Sequence, residues 1–141
     1  MVFHTQSPEE TKAAARQVAA LLRPGDLIAY RGGMGAGKTT FTAGLAQGLG
    51  SGAWVSSPTF ALVHQYDGPI PLCHFDMFRI TSLEDLYSTG FFDYLDQGAV
   101  LAVEWSENIE EALPQPHITV DIALEEGDRR TITVTGDERF S

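Results

Sequence analysis

The chain has 141 residues, of which 43% are hydrophobic, and it carries one cysteine and a formal net charge of −10. The length predicts a single domain over residues 1–141, and no apolar run approaches the ~18–20 residues that span a bilayer. The acidic charge argues against direct binding of nucleic acid, while the polar N-terminus and a lone, core-buried Cys73 predict a reducing, cytoplasmic location.

The first predicted element is a helix that begins after Ser7 and runs to about Leu22. Ser7 supplies an N-cap, Pro8 suits the first helical position, and Glu10 completes a capping box. A buried strand is predicted next, over residues 26–31. The inward face of the helix is predicted to hold Ala15, Val18, Ala19 and Leu22.

Residues 32–39 fit G-x-x-x-x-G-K-[ST], the phosphate-binding P-loop. The glycines let successive backbone N–H groups form an anion nest, Lys38 reaches the β- and γ-phosphates, and the Thr39 hydroxyl faces Mg²⁺. The alternative is a glycine-rich turn that binds nothing, but a strand before the loop and a helix after it favour the P-loop. The predicted nucleotide contacts are Gly33, Met34, Gly35, Ala36, Gly37, Lys38, Thr39 and Thr40.

The helix after this loop keeps an i, i+4, i+8 spacing through Phe41, Leu45 and Leu49. Gly44 and Gly48 inside it each cost up to ~1 kcal/mol relative to alanine. We expect both glycines to permit close packing against the sheet.

The remaining elements alternate between hairpins and helices. Strands are predicted at 60–66 and 72–78 as one hairpin, one or two short helices within 81–94, and a buried strand at 99–103. A helix at 106–113 and a hairpin of 118–124 with 130–135 complete the chain. This order predicts an α/β fold, a P-loop NTPase-like three-layer sandwich with a mixed parallel and antiparallel sheet.

Ligands of open α/β sheets collect beyond the carboxyl ends of the strands, and Glu104 lies at such an end. A P-loop needs a carboxylate there to hold Mg²⁺, although an isolated acidic residue after a buried strand is often simply solvated. Asp76 lies on another strand, where it could bind the metal, orient water or pair with Arg79. His74 shares its face, but without a metal-binding cluster around it a hydrogen-bonded core or surface residue is the favoured interpretation.

A loop with several hydroxyls, residues 56–59, occupies the position of a switch between the P-loop helix and the next strand. Ser57 and Thr59 could sense Mg²⁺ and the γ-phosphate there, although an ordinary proline turn is the alternative. Arg79 is a candidate for stabilising transferred charge, or a structural residue.

Two absences narrow the class of P-loop protein. The chain has only two lysines, Lys12 and Lys38, and neither lies in the Asn/Thr-Lys-x-Asp element of guanine-specific GTPases. It also lacks the arginine-rich lid and the substrate insert of small-molecule kinases. The sequence therefore predicts a minimal ATPase, with a stand-alone small-molecule kinase or a nucleotide-gated binding module as the alternatives.

Four segments at residues 31–41, 56–63, 74–79 and 103–107 together resemble the TsaE (YjeE) family, the ATPases of bacterial tRNA threonylcarbamoyladenosine modification. The resemblance implies ATP hydrolysis in support of a TsaD- and TsaB-type partner complex, which transfers threonylcarbamoyl to adenosine in tRNAs reading ANN codons. The tRNA would be contacted only through that complex, and no membrane is implied.

The resemblance also implies residue roles. Lys38 would bind phosphate, Thr39 and Glu104 would hold Mg²⁺, and Asp76 and Thr59 would belong to the active site with Glu104. Three positions depart from the usual family pattern: Gly33, Met34 and Phe78, the last in place of tyrosine. Trp105 follows the metal carboxylate as in the family, although packing alone would explain it.

Overall fold

The computed structural model describes residues 1–33, 36–51, 63–77, 80, 82–104, 113 and 117–141. Its helices are α1 (Pro8–Ala19), α2 (Lys38–Gly48), α3 (Leu83–Ser88) and α4 (Phe91–Asp96), and a 3₁₀ turn covers Glu138–Phe140. Its strands are β1 (Val2–Thr5), β2 (Leu27–Arg31), β3 (Val63–Tyr66), β4 (Leu72–Asp76), β5 (Val100–Glu104), β6 (Ile118–Leu124) and β7 (Arg130–Thr135).

The seven strands form one sheet in the order β1-β7-β6-β2-β5-β4-β3. Its four central strands, β6, β2, β5 and β4, run parallel, whereas β3 pairs antiparallel with β4, and β7 pairs antiparallel with both β6 and β1. The predicted α/β fold with a mixed sheet is thus confirmed. The edge strand β1 was not predicted.

Apolar side chains fill both faces of the sheet, so the molecule has three layers. One face packs against α1 and α2, around Tyr30, Phe41, Leu45, Val120 and Val134. The other packs against α3 and α4, around Phe75, Met77, Phe91, Leu101 and Val103. The predicted core residue Cys73 is buried and carries a free thiol.

Helix α1 begins as predicted and ends earlier than predicted. The Ser7 hydroxyl accepts a 3.2 Å hydrogen bond from the Glu10 amide. The helix ends at Ala19 rather than Leu22, because the Leu21 and Leu22 amides bond three residues back, to the Val18 and Ala19 carbonyls, and tighten the chain into turns. All four predicted inward residues are buried.

The prediction for Gly44 and Gly48 was wrong about the partner, because both glycines face α1 rather than the sheet. A Cβ at Gly44 would lie 2.6 Å from the Lys12 carbonyl oxygen, and one at Gly48 would lie 2.5 Å from the Ala19 Cβ. The two glycines therefore allow the backbones of α1 and α2 to approach closely.

The other predicted elements agree where the structure describes them. The β6–β7 hairpin has the predicted bounds, and two short helices meet at Gly90. Strand β4 ends at Asp76 rather than at the predicted residue 78, because the Met77 carbonyl accepts a 3.0 Å bond from the Ile80 amide and the chain turns there; the described part of β3 is Val63–Tyr66. Of the helix predicted at 106–113, only Leu113 is described, and it is buried. The first residues of the strand predicted at 60–66 lie outside the described residues. None of the helices in the described part of the chain is long and apolar enough to cross a membrane.

Candidate active site

Two positions of the loop between β2 and α2 require glycine. Gly32 has φ +127°, and a Cβ there would lie 2.5 Å from the Ile122 carbonyl oxygen of β6. Gly37 has φ +112°, a left-handed conformation that turns the chain into α2. Gly33 is exposed, whereas Ala36 is buried, and the predicted contacts Met34 and Gly35 lie outside the described residues.

Lys38 opens α2, and its side chain turns back towards the sheet. Its Nζ donates a 3.0 Å hydrogen bond to the Gly32 carbonyl and lies 3.8 Å from Oε1 of Glu104. Its side chain is 9% exposed, so the charge is held close to the sheet edge. Thr39 and Thr40 follow in the first turn, where both are half-buried.

Glu104 ends β5, and both of its carboxylate oxygens have a basic neighbour. Oε1 faces Lys38, and Oε2 lies 2.8 Å from Nε2 of His74. Burial alone would raise the pKa of Glu104, but the contact with His74 and the charge of Lys38 outweigh burial, so its pKa lies below the ordinary value of 4.5. Glu104 is therefore ionised near neutral pH.

His74 lies in the core, which was one of the two predicted positions, but the prediction that it is hydrogen-bonded was wrong for the described part of the chain. It is fully buried on β4, and its ring lies edge-on to Tyr30 with 6.2 Å between centroids. The ring approaches Glu104 off the line of a hydrogen bond, and neither ring nitrogen has a hydrogen-bond partner among the described residues. The contact with Glu104 is consequently a close electrostatic one.

Asp76 lies directly across from Glu104 in the parallel register of β4 and β5. His74 and Asp76 are two residues apart on β4 and share a face, the face on which His74 meets Glu104. The structure thus brings the two predicted carboxylates to the same sheet edge, beside Lys38. Arg79, with which Asp76 could pair, lies outside the described residues.

A buried hydrogen-bonded chain under the site was missed by sequence reasoning. The Tyr30 hydroxyl lies 2.7 Å from the Thr42 hydroxyl, which donates a 2.8 Å bond to the Lys38 carbonyl. Burial raises the pKa of Tyr30 far above its ordinary value, and the charge of Glu104 adds to this shift while the Thr42 bond opposes it. A threonine four residues after the P-loop lysine, able to bond back along the helix, was the available signal.

Arg130, at the start of β7, also reaches the loop, and its Nε donates a 2.8 Å bond to the Ala36 carbonyl. Beside it, a small groove is lined by Ser7, Thr11, Gly37 and Thr40. A cavity of about 590 Å³ adjoins Arg130 on the side of β1 and the β6–β7 turn. Thr5 lines this cavity, and its hydroxyl lies 2.9 Å from that of Thr11.

A metal ion at this site would take most of its ligands from phosphates and waters rather than from protein side chains. Among the described residues, no group of three or more histidine, cysteine or acidic side chains could hold a metal ion. Mg²⁺ is bound in nucleotide sites by one or two protein oxygens together with phosphates and waters. A hydroxyl from Thr39 and a carboxylate from Glu104 fit that ion. The predicted Ser57, Thr59 and Trp105 lie outside the described residues.

Comparison with known proteins decides the family. The family model "Threonylcarbamoyl adenosine biosynthesis protein TsaE" matches residues 5–132. The chain belongs to the TsaE family. This confirms the resemblance seen in the four sequence segments.

Members of the TsaE family are similar to this chain over most of their length. The tRNA threonylcarbamoyladenosine biosynthesis protein TsaE of Bacillus subtilis is 45% identical over 135 residues, covering 94% of this chain and 84% of the relative. The TsaE protein of Treponema pallidum is 35% identical over 130 residues, covering 92% of this chain and 96% of the relative. The crystal structure of YdiB from Bacillus subtilis matches with a TM-score of 0.77 and 37% identity, covering 99% of this chain and 88% of that one.

Proposed function

We propose that this chain is a Mg²⁺-dependent, cytoplasmic ATPase that supports threonylcarbamoyl transfer to adenosine in tRNAs reading ANN codons. It would act on a partner complex of the TsaD and TsaB type. The observation that carries the proposal is the meeting of Lys38 and Glu104 behind a glycine-dependent loop, at the carboxyl ends of parallel strands. Membership of the TsaE family supplies the pathway.

The loop and Lys38 would hold the β- and γ-phosphates of ATP. Lys38 is bonded here to a carbonyl and faces a carboxylate, and phosphate oxygens can replace both as acceptors. The N–H groups at the start of α2 add the positive end of its dipole. Arg130 supports the loop from the far side by holding the Ala36 carbonyl.

Thr39 and Glu104 would hold Mg²⁺, which would neutralise charge that develops on the phosphates during hydrolysis. Glu104 suits this role because its depressed pKa keeps it ionised. Asp76 is opposite Glu104 in the register, so between them the two carboxylates can hold the metal and orient the attacking water. Thr59 remains the proposed switch residue.

The nucleoside end of ATP would lie towards Arg130, along the groove lined by Gly37 and Thr40. The cavity beyond Arg130 is large enough for a purine base. The net charge of −10 supports a division of labour in which the partner complex supplies the basic surface for tRNA.

The test is a pair of variants assayed for nucleotide binding and for hydrolysis, alone and with the tRNA-modifying partner proteins. Lys38→Ala should abolish nucleotide binding, and Lys12→Ala, which changes the only other lysine, should not. Glu104→Ala should lower ATP hydrolysis much more than nucleotide binding. The control is Glu84→Gln, at an exposed glutamate, which should change neither.

Three outcomes would contradict the proposal. Equal ATP turnover in Glu104→Ala and the wild type would remove the assigned role of the carboxylate. Phosphate transfer to small alcohols well above hydrolysis would favour a kinase. Multiple rounds of tRNA modification with a non-hydrolysable ATP analogue would favour a nucleotide-gated binding module. Circular dichroism of each variant checks that it is folded.

A further inference from the structure

His74 is a buried imidazole that the proposed roles leave unused. Its side chain is fully buried, and Nε2 is 2.8 Å from Oε2 of Glu104. Buried polar atoms nearly always have an aligned hydrogen-bond partner, yet neither nitrogen of this ring has one among the described residues. An apolar residue would fill the same space without that cost, so the imidazole calls for an explanation beyond packing.

Glu104 has two basic neighbours among the described residues, and they differ in how firmly each is placed. Lys38 has a long flexible stem, and its proposed role is to engage the phosphates of ATP. His74 lies on β4 between β3 and β5, opposite His64 and Ala102, with Tyr30 against its ring. When Lys38 turns to a phosphate, His74 still faces the carboxylate.

We propose that His74 is a positioning residue that orients the Glu104 carboxylate for Mg²⁺ while Lys38 is engaged by the nucleotide. The inference rests on the proposed function, because it assumes that Glu104 holds the metal. With Nε2 of His74 at 2.8 Å from Oε2, Oε1 is the oxygen directed towards Lys38 and the P-loop. The side chain of His74 makes no contact with the substrate in this role.

The expected size of the effect follows from other metal sites. Removing a residue that orients a metal ligand typically lowers metal affinity or activity by about 10- to 100-fold. We expect a loss of that order in the affinity of the ADP complex for Mn²⁺, a paramagnetic substitute for Mg²⁺. Binding of ADP without metal should change less than threefold, because His74 does not reach the phosphates.

Three substitutions separate positioning from packing. His74→Gln places an amide nitrogen as far from the backbone as Nε2 and should keep Mn²⁺ affinity within a few-fold of the wild type. His74→Asn places its nitrogen nearer the backbone, at the position of Nδ1, and should lose the affinity. His74→Leu removes every polar atom and should lose it as fully as His74→Asn, while still unfolding cooperatively.

The experiment measures Mn²⁺ affinity by electron paramagnetic resonance, metal-free ADP affinity by calorimetry, and melting temperature for each variant. Equal Mn²⁺ affinity in His74→Leu and the wild type would overturn the inference, as would a failure of His74→Gln to exceed His74→Asn. If the wild type itself showed no metal-dependent nucleotide binding, the proposed function would fail first, and the two failures are therefore distinguishable.

Discussion

Replacing Gly48 with alanine would add a methyl group at the contact between α2 and α1. The new Cβ would lie 2.5 Å from the Ala19 Cβ and 3.2 Å from the Arg16 Cα. Real Cβ atoms do not approach another carbon to 2.5 Å, so α1 would have to move. Because the obstructing atom at Ala19 is a single methyl group, a second substitution can remove it.

Two opposing effects set the change in the free energy of unfolding caused by Gly48→Ala. Alanine in place of glycine stabilises a helix interior by up to ~1 kcal/mol. Forcing an extra methyl group into a close-packed contact costs about 1–3 kcal/mol. Gly48→Ala should therefore lower the free energy of unfolding by about 1 kcal/mol and the melting temperature by a few degrees. Adding Ala19→Gly should restore most of the loss, which gives a favourable coupling of about 0.5–3 kcal/mol.

Gly44 provides the matched comparison. A Cβ there would meet both the Ala15 Cβ and the Lys12 carbonyl oxygen, each at 2.6 Å. Ala15→Gly removes only the first of these contacts, so it should not rescue Gly44→Ala. The variants are the two single Gly→Ala substitutions, the two single Ala→Gly substitutions and the two double substitutions. The free energy of unfolding of each is measured in urea, with circular dichroism as the signal. The reasoning is wrong if Gly44→Ala and Gly48→Ala do not lower the free energy of unfolding. It is also wrong if the alanine-to-glycine substitutions rescue both positions equally. Either result would show that α1 and α2 can move apart at little cost.

Three further predictions concern charged groups. Arg130→Met removes the 2.8 Å bond to the Ala36 carbonyl and should weaken ATP binding about 10-fold in calorimetry, because a hydrogen bond to a charged group is worth roughly 1.5 kcal/mol. Asp26→Asn weakens two bonds from Arg139, at 2.8 and 3.1 Å, and should lower the free energy of unfolding by about 1 kcal/mol. The depressed pKa of Glu104 contributes stability above pH 4.5 that is lost as the pH falls, so the stability difference between the wild type and Glu104→Gln should shrink from pH 6 to pH 3.

Each of these predictions has a control and a contrary outcome. Arg23→Met, at an exposed arginine before β2, should leave ATP binding unchanged, and equal losses at the two positions would indicate a general charge effect. Asp96→Asn, at an exposed site, should not alter unfolding by urea. A wild-type advantage over Glu104→Gln that stays constant across the pH range would contradict the depressed pKa.

Local patterns predicted the elements whose signals lie within a few residues. The β6–β7 hairpin is marked by alternation and a turn, and the start of α1 is marked by Ser7 and Pro8, so both were predicted where they occur. The edge strand β1 has no comparable signal, because its four residues are ordered by pairing with β7, more than 120 residues later in the chain. Its sequence alone does not distinguish a strand from an extended terminus.

The site could be predicted as a set of residues but not as a set of contacts. The P-loop pattern made Lys38 a candidate, and the end of a buried strand made Glu104 one. Alternation placed His74 and Asp76 on one face, but only the parallel pairing of β4 with β5 brings them to Glu104. The bond from Arg130 to the P-loop is likewise set by sheet order, which no local spacing encodes.

The order of the strands in the sheet also sets how much of the chain must be synthesised before β2 can pair with its neighbours. Strand β2 carries the P-loop, yet its two neighbours, β5 and β6, are translated long after it, and the bond from Arg130 to Ala36 closes a span of 94 residues. Contacts this distant in sequence form late in folding. A nascent chain that has not yet exposed β7 therefore contains residues 32–39 without the bond from Arg130 that holds the Ala36 carbonyl in the folded chain.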